Sequence, residues 1–177
     1  MFRFSSVLLF VLFICRTSTG NADITIYAVR HAEKQSAGKD PALSESGQQR
    51  AAALSQTLRS VKFAAAFVSQ FQRTQQTVAP TLRRAKIAST QHPAGQEHSL
   101  AALIRRDFTG KSVLFAGHSN TVPALLRHLG ITDPPKLSES DYDNLFIIRI
   151  DDTGKSSMIQ LHYGAANRAS EPSRTPR

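Results

Sequence analysis

Short apolar runs and amphipathic stretches alternate along most of the chain, and the two patterns predict different secondary structures. Runs that are almost continuously apolar, or rich in β-branched and aromatic residues, are typical of strands covered on both faces of a sheet. The last two runs are joined by a polar segment at 151–155, which predicts a hairpin. The predicted strands are residues 24–29, 63–68, 86–90, 112–116, 145–150 and 157–163.

Between these strands, apolar residues recur every three or four positions, the spacing of one helix face. Ser44 and Asn120 are candidate N-caps, because short polar side chains can accept hydrogen bonds from free backbone amides. Pro80 should make the second helix bend or restart, and Gly130 should end the last one. The predicted helices are residues 44–59, 74–84, 97–108 and 121–129.

This alternation predicts an α/β fold of three layers, with a mostly parallel central sheet and helices on both faces. Ligands of such a sheet bind beyond the carboxyl ends of its strands. His31 and His118 each follow the end of a predicted strand by one or two residues. The two histidines are therefore expected to share one crevice.

The chain is predicted to consist of three segments. Residues 1–22 combine a positive start, nine apolar residues at 7–15 and small residues at 16–22, which together predict a secretory signal peptide and export, periplasmic or secreted. An uncleaved anchor is the alternative, and only then would the protein associate with a membrane, although a bilayer span needs about 20 apolar residues. Residues 23–163 are predicted to form one domain, and residues 164–177 a disordered tail.

The formal charge is +9, from 22 Lys and Arg against 13 Asp and Glu, so the protein should attract anions. Aromatic residues make up 7% of the chain, Trp is absent, and basic residues do not interleave with aromatic ones. We therefore expect no nucleic-acid partner. Cys15 is the single cysteine and lies in the predicted signal peptide, which excludes disulfides, a cysteine nucleophile and a thiolate zinc site from the mature domain.

Two histidines and two arginines offer what a phosphoryl-transfer site without a metal needs. A neutral His31 could attack phosphorus, while Arg30 and Arg73 match phosphate oxygens with their planar forks. A protonated His118 would add a donor, as would free amides near Ser119 and Asn120 at a helix start. These cations should lower the pKa of His31.

The alternative to a catalytic role is that each histidine is a structural residue held by hydrogen bonds. For either one alone that interpretation is favoured, whereas the four residues together favour a phosphate site. The remaining histidines show no spacing typical of metal ligands, so we expect neither a metal nor another cofactor. They are His92, His98, His128 and His162.

Three motifs in order resemble the histidine phosphatase superfamily, the group that includes cofactor-dependent phosphoglycerate mutase. They are Val29-Arg30-His31-Ala32-Glu33-Lys34, Ser69-x-x-x-Arg73-x-x-x-Thr77 and Gly117-His118-Ser119-Asn120-Thr121-Val122-Pro123. The resemblance is closest to small phosphatases with RHAEK and GHSNT signatures, and it implies a phosphoglycerate mutase-like fold. It also implies that His31 is the phosphorylated nucleophile and that Arg30, Arg73 and His118 form the phosphate pocket.

Many members of that family carry a carboxylic acid, between the second arginine and the second histidine, that protonates the leaving oxygen. The corresponding interval is short here, and Glu97 is its best-placed candidate, although Glu97 could instead stabilise the start of its helix. Glu33 is interpreted as structural, and Asp141 and Asp143 as turn residues. Without an acid, substrates with good leaving groups would be favoured, such as phosphohistidine or phosphoanhydrides.

The sequence thus favours an exported, metal-independent phosphatase that hydrolyses phosphomonoesters or related phosphates through phospho-His31. The expected partner is a phosphorylated small molecule or a surface glycan. The alternatives are a phosphohistidine-protein phosphatase or phosphoryl transferase and, from another class, a non-catalytic module that binds phosphate or a phosphosugar. The physiological substrate and the oligomeric state stay open.

Overall fold

A single mixed sheet runs through a computed structural model that describes residues 22–167. Its strands are β1 (Ile24–Arg30), β2 (Phe63–Val68), β3 (Ser89–Gln91), β4 (Ser112–Gly117), β5 (Asn144–Ile150) and β6 (Ser156–His162). In the sheet order β3-β2-β4-β1-β5-β6, the first four strands pair in parallel, while β5 and β6 pair antiparallel at the other edge. The mostly parallel sheet is therefore confirmed.

Helices cover both faces of this sheet, because the buried side chains of the central strands point alternately to either side. The helices are α1 (Glu45–Thr57), α2 (Gln72–Ala85), α3 (Glu97–Asp107) and α4 (Thr121–His128). Ile26 and Ala28 of β1 pack in the core that α3 and α4 share. Val29 packs on the opposite face, in the core that α1 and α2 share. The three layers are those that the sequence predicted.

The helix α1 begins as predicted. The Ser44 hydroxyl accepts a hydrogen bond from the Gly47 amide at 3.2 Å, and so caps the helix. A Cβ atom at Gly47 would lie 2.0 Å from the carbonyl oxygen of Glu33. Only glycine therefore lets this helix pack so closely on the segment that follows β1.

Asn120 is the N-cap residue of α4, as predicted, but its side chain does not cap the helix. Asn120 has helical dihedral angles, φ −95° and ψ −38°, and within residues 22–167 its side chain makes no capping bond. A side-chain cap needs an extended backbone, which points the side-chain oxygen back at the free amides. The hydroxyl of Thr121 instead accepts a hydrogen bond from the His118 amide at 2.7 Å.

The predicted restart at Pro80 is also wrong, because α2 continues through this residue to Ala85. A proline in a helix removes one backbone hydrogen bond, and here the burial of Val78 and Leu82 against the sheet maintains the helix. Lys86 ends α2 in the left-handed conformation, φ 56°. The third strand is consequently shorter and later than predicted.

Residues 164–167, predicted to begin the disordered tail, are attached to the domain. Arg50 donates hydrogen bonds to the backbone carbonyls of Tyr163 and Ala165, and Asn167 binds the Asp143 carboxylate. The rest of the predicted tail and the predicted signal peptide up to residue 21 lie outside the described residues. Among the helices that are described, none is long and apolar enough to cross a membrane.

Candidate active site

Two parallel strands bring the two histidines together. β1 and β4 are neighbours with Arg30 opposite Gly117, so the residues that follow them emerge at the same edge of the sheet. The His31 amide donates a hydrogen bond to the Gly117 carbonyl at 2.8 Å, which extends the pairing by one residue. The ring centroids of His31 and His118 lie 5.3 Å apart. The predicted proximity of the two histidines is therefore confirmed.

The ring of His31 is held in one tautomer. Its Nδ1 lies 2.8 Å from the carbonyl oxygen of Ala32, and a carbonyl can only accept, so Nδ1 carries the proton. In the neutral ring Nε2 then has a free lone pair. The Ala32 amide donates to the Thr77 hydroxyl at 2.8 Å, which ties the backbone of the same residue to α2.

The surroundings of His31 keep its ring neutral. Burial lowers its pKa to about 4, and the charges of Arg30, His118 and Arg73 act in the same direction, against the hydrogen bond to Ala32. The predicted direction is confirmed, but burial rather than like charge is its main cause. The lone pair that an attack on phosphorus needs is therefore present near neutral pH.

The surroundings of His118 also keep its ring neutral, and the protonated ring expected as a donor to a bound phosphoryl group stays a prediction. Burial, followed by the charges of Arg73 and Arg30, lowers its pKa to about 4. Its hydrogen bonds agree with a neutral ring. Nη2 of Arg73 lies 3.4 Å from Nδ1, and the Ser69 hydroxyl lies 2.9 Å from Nε2. Because arginine can only donate, Nδ1 accepts and Nε2 donates to Ser69.

Arg73 reaches this ring from the first turn of α2. Its guanidinium carbon lies 4.3 Å from the ring centre of Phe71. The rings of Phe71 and His118 pack edge to face, with 5.3 Å between their centroids. On its other side, Arg73 pairs with Asp40 at 3.5 Å. The arginine therefore stands in a fixed position beside His118, with its charge directed at the crevice.

Arg30 is almost fully buried at 1% exposure, and the loop between α4 and β5 binds its fork. It donates to the Ser138 carbonyl and, at 2.9 Å, to the Glu139 carboxylate, and its guanidinium lies 4.4 Å from the ring centre of Tyr142. Its Nε has no hydrogen-bond partner among residues 22–167. One donor of Arg30 is thus unused.

The other three predicted site residues differ in their positions relative to the site. The Ser119 hydroxyl donates to Glu139 at 2.8 Å, which places it at the mouth of the crevice beside Arg30. The Asn120 side chain is exposed. Glu97 is buried and accepts a hydrogen bond from the Gly95 amide at 2.9 Å. In the described part of the chain, no hydrogen bond or ion pair joins Glu97 to the histidines or arginines of the site.

The carboxylates interpreted as structural or as turn residues all form hydrogen bonds within the domain. Glu33 binds Arg50 through both oxygens, with a shortest distance of 2.7 Å, and so joins the segment after β1 to α1. Asp141 accepts a hydrogen bond from the Ser138 amide at 2.7 Å, and Asp143 binds Asn167. The structural role of Glu33 and the turn position of Asp141 are confirmed, whereas the turn assigned to Asp143 is wrong: it lies directly before β5 and its carbonyl accepts a hydrogen bond from the Tyr163 amide.

Several residues that contact the site were not assigned to it from the sequence, among them Phe71, Ser138 and the four that follow. Ser69 is the first residue of the second motif, and this position was the signal that could have assigned it to the site. Asp40 and Glu139 each contact an arginine of the site, and Tyr142 contacts Arg30 and, at 6.0 Å between ring centroids, His31. Within residues 22–167 there is no cluster of three or more His, Cys, Asp or Glu residues that could hold a metal ion.

The two lowered pKa values predict how the empty site titrates. With a pKa of about 4, His31 and His118 stay neutral as the pH falls through ~6.5, where an ordinary imidazole takes up a proton. The unfolded chain binds these protons first, so the folded state should lose stability as the pH falls from about 6.5 to 4. NMR titration of the ring protons should show both midpoints at least about one unit below 6.5; midpoints near 6.5 would contradict the described burial.

Comparison with known proteins agrees with the motifs. A sequence model described as "Histidine phosphatase superfamily (branch 1)" matches residues 26–103. This range contains Arg30, His31 and Arg73, and it ends before His118. No curated protein matches the sequence significantly.

Solved structures share the fold at low sequence identity. The protein histidine phosphatase SixA, complexed with tungstate, is 18% identical with a TM-score of 0.63, over 78% of this chain and 96% of that one. Phosphoglycerate mutase from Bacillus anthracis str. Sterne is 15% identical with a TM-score of 0.59, over 80% and 94%. The mycobacterial glucosyl-3-phosphoglycerate phosphatase is 12% identical with a TM-score of 0.63, over 81% and 100%.

These identities show a common fold, and the sequence match to the superfamily model covers residues 26–103. The resemblance stated from the motifs is confirmed over that range, and the fold is phosphoglycerate mutase-like.

Proposed function

We propose that the protein is a phosphatase in which His31 takes the phosphoryl group from its substrate and passes it to water, without a metal ion. One observation carries the proposal: the buried, unprotonated Nε2 of His31 belongs to a ring that contacts His118 and feels the charges of Arg30 and Arg73. The family match supports phosphatase activity.

In the first step, the Nε2 lone pair of His31 forms a bond to phosphorus while the bond to the leaving oxygen breaks. The transferring group bears negative charge on its three peripheral oxygens, so cations fixed beforehand are the main source of rate acceleration. Arg30 and Arg73 supply that charge. Two side chains with planar donor forks can hold several of these oxygens at once.

His118 would change its role when substrate arrives. A phosphoryl dianion beside its ring favours the charged imidazolium and raises the pKa of His118 from its low value in the empty site. Ser69 keeps its bond to Nε2, and Nδ1 then carries a proton that it can donate to a phosphoryl oxygen. The third donor expected from the sequence would thus appear only in the complex.

In the second step, a water oxygen bonds to phosphorus as the bond to Nε2 breaks. Inorganic phosphate leaves, the displaced proton goes to solvent or to the phosphate, and His31 recovers its lone pair. Dividing one displacement into two easier ones is the gain of covalent catalysis.

Of the steps proposed above, protonation of the leaving oxygen has the least support from the residues of the site. Glu97 was the candidate acid, and it would have to release the Gly95 amide to serve. The carboxylates that do contact the site, Asp40 and Glu139, are paired with arginines. Leaving groups that need little protonation are therefore favoured, which supports a phosphohistidine-protein phosphatase or phosphoryl transferase as the second candidate.

A cleft whose lining residues are mostly of polar types meets the site at Tyr142, and it supports a hydrophilic leaving group. Its volume is about 530 Å³, which suits a small molecule or part of a glycan, and it shares Tyr142 with the site. Other lining residues are Glu33, Ser46, Arg50, Ser140 and Asn167. Export to the periplasm or the medium belongs to the same proposal and depends on the pattern of residues 1–22 alone.

Metal removal tests this function. The purified protein should hydrolyse p-nitrophenyl phosphate, and a phosphohistidine peptide, at the same rate before and after dialysis against EDTA, because arginines rather than a metal supply the positive charge. Activity that disappears with EDTA and returns with added Mg²⁺ or Zn²⁺ would contradict the proposal. Phosphate binding without turnover of any substrate would indicate the non-catalytic module instead.

A further inference from the structure

A carboxylate of the protein itself occupies donors of the proposed phosphate pocket. One oxygen of Glu139 accepts a hydrogen bond from Arg30 at 2.9 Å, and the other accepts one from the Ser119 hydroxyl at 2.8 Å. The sequence assigned the Arg30 fork to phosphate, and it assigned Ser119 to the same pocket through its backbone amide. A phosphoryl group that binds to them must therefore take the place of Glu139.

Exposure shows which partner would move. The Arg30 side chain is 1% exposed and is enclosed by Ser138 and Tyr142, whereas the Glu139 side chain is 80% exposed. The loop around Glu139 has its own anchors, because Asp141 binds the Ser138 amide and Asn167 binds the Tyr142 amide. The carboxylate of Glu139 can thus turn into solvent by side-chain rotation while the loop and the arginine stay in place.

We propose, on the basis of the function proposed above, that Glu139 is a displaceable competitor of the phosphoryl group for Arg30 and Ser119. Its carboxylate holds the empty site in a closed form, in which two anion donors are neutralised. Arg30 and Ser119 are released only when a phosphoryl group replaces it.

Competition of this kind affects substrate and product alike. A ligand that binds only the open form has its apparent dissociation constant raised by the inverse of the open fraction. Substrate and inorganic phosphate present the same oxygens to the same donors, so the factor should be the same for both. Glu139 would therefore raise KM and, at the same time, weaken inhibition by the released phosphate.

The substitution Glu139→Gln tests this inference, because it keeps the shape of the side chain and removes the charge. An ion pair whose carboxylate is exposed to solvent, as Glu139 is, contributes up to about 1 kcal/mol, which corresponds to roughly fivefold in affinity. Calorimetric titration of the purified protein with inorganic phosphate should show binding about fivefold tighter than in the unsubstituted protein. The inhibition constant for phosphate and KM for p-nitrophenyl phosphate should both fall by this factor, with kcat changed less than twofold.

Asp133→Asn is the matched control. Asp133 is exposed in the same loop, so this variant changes the net charge equally without touching Arg30. Its phosphate affinity should stay within about twofold of the unsubstituted protein. Equal tightening in both variants would assign the effect to overall charge and overturn the inference.

Unchanged or weaker phosphate binding in Glu139→Gln would also overturn it. So would a fall in kcat that grows as the leaving group becomes poorer while phosphate affinity stays constant, because that pattern identifies a proton donor. Calorimetry separates this inference from the function proposed above. If the protein binds phosphate but turns over no substrate, phosphatase activity fails while the competition at Arg30 is still measured.

Discussion

Replacement of His31 by alanine should lower the rate of phosphate-ester hydrolysis at least about 10⁴-fold, because it removes the atom that bonds to phosphorus. The two arginines stay in place in this variant, so inorganic phosphate should still bind. Steady-state assays with p-nitrophenyl phosphate measure the first quantity, and calorimetry measures the second. A loss of rate without a loss of binding identifies His31 as the nucleophile rather than as part of the anion clamp.

His98→Ala is the control for this variant. His98 is exposed on α3, and its ring contacts His128. This variant should keep the full rate. If His31→Ala retained more than about a tenth of the activity, attack by Nε2 would be excluded and a direct attack by water would have to replace it.

Replacement of Arg73 by lysine should lower kcat/KM by about 10²–10³-fold although the charge is kept. Lysine is a point charge, so it loses the planar fork, the stacking on Phe71 and the bond to Nδ1 of His118. Steady-state kinetics on the same aryl phosphate measure the effect. Arg73 lies at the edge of the core, so the fold should survive the change, which circular dichroism can check.

The matched control is Arg83→Lys, on the same helix but exposed. It should leave kcat/KM within about twofold, since Arg83 is exposed and, within residues 22–167, forms no hydrogen bond or ion pair with a residue of the site. A similar loss in both variants would show that charge on α2 acts at long range. If Arg73→Lys were as active as the unsubstituted protein, the geometric role of the fork would be wrong.

Much of the fold was predictable because its signals are local. The apolar runs of β1 and β4 are buried on both faces, and alternation of strands with helices allows few topologies. Parallel neighbours then place His31 and His118 at one edge, which is why histidines far apart in the sequence could be paired. Their bonds to Ala32 and Ser69 follow from the turns just after those strands and from the nearby serine motif.

The parts that could not be predicted depend on tertiary contacts. Nothing in the pattern around Glu139 or Tyr142 shows that their loop returns to Arg30, because loop conformation is not encoded in a periodic signal. The lowered pKa of His118 was not predicted, for a related reason. Its two arginine neighbours were known, but their distances and the burial that lowers its pKa belong to the folded protein. Asn120 had a residue type suited to capping, and the backbone turned it outward.

Trapping of a phosphoenzyme tests the central claim most directly. The protein is mixed with ³²P-labelled substrate, quenched in alkali, which preserves phosphohistidine, and digested for mass spectrometry. We expect one labelled peptide with phosphate on His31, which forms and decays fast enough to account for turnover, and no label in His31→Ala. Turnover with no phosphoenzyme, or label on any other residue at the same rate, would contradict the account.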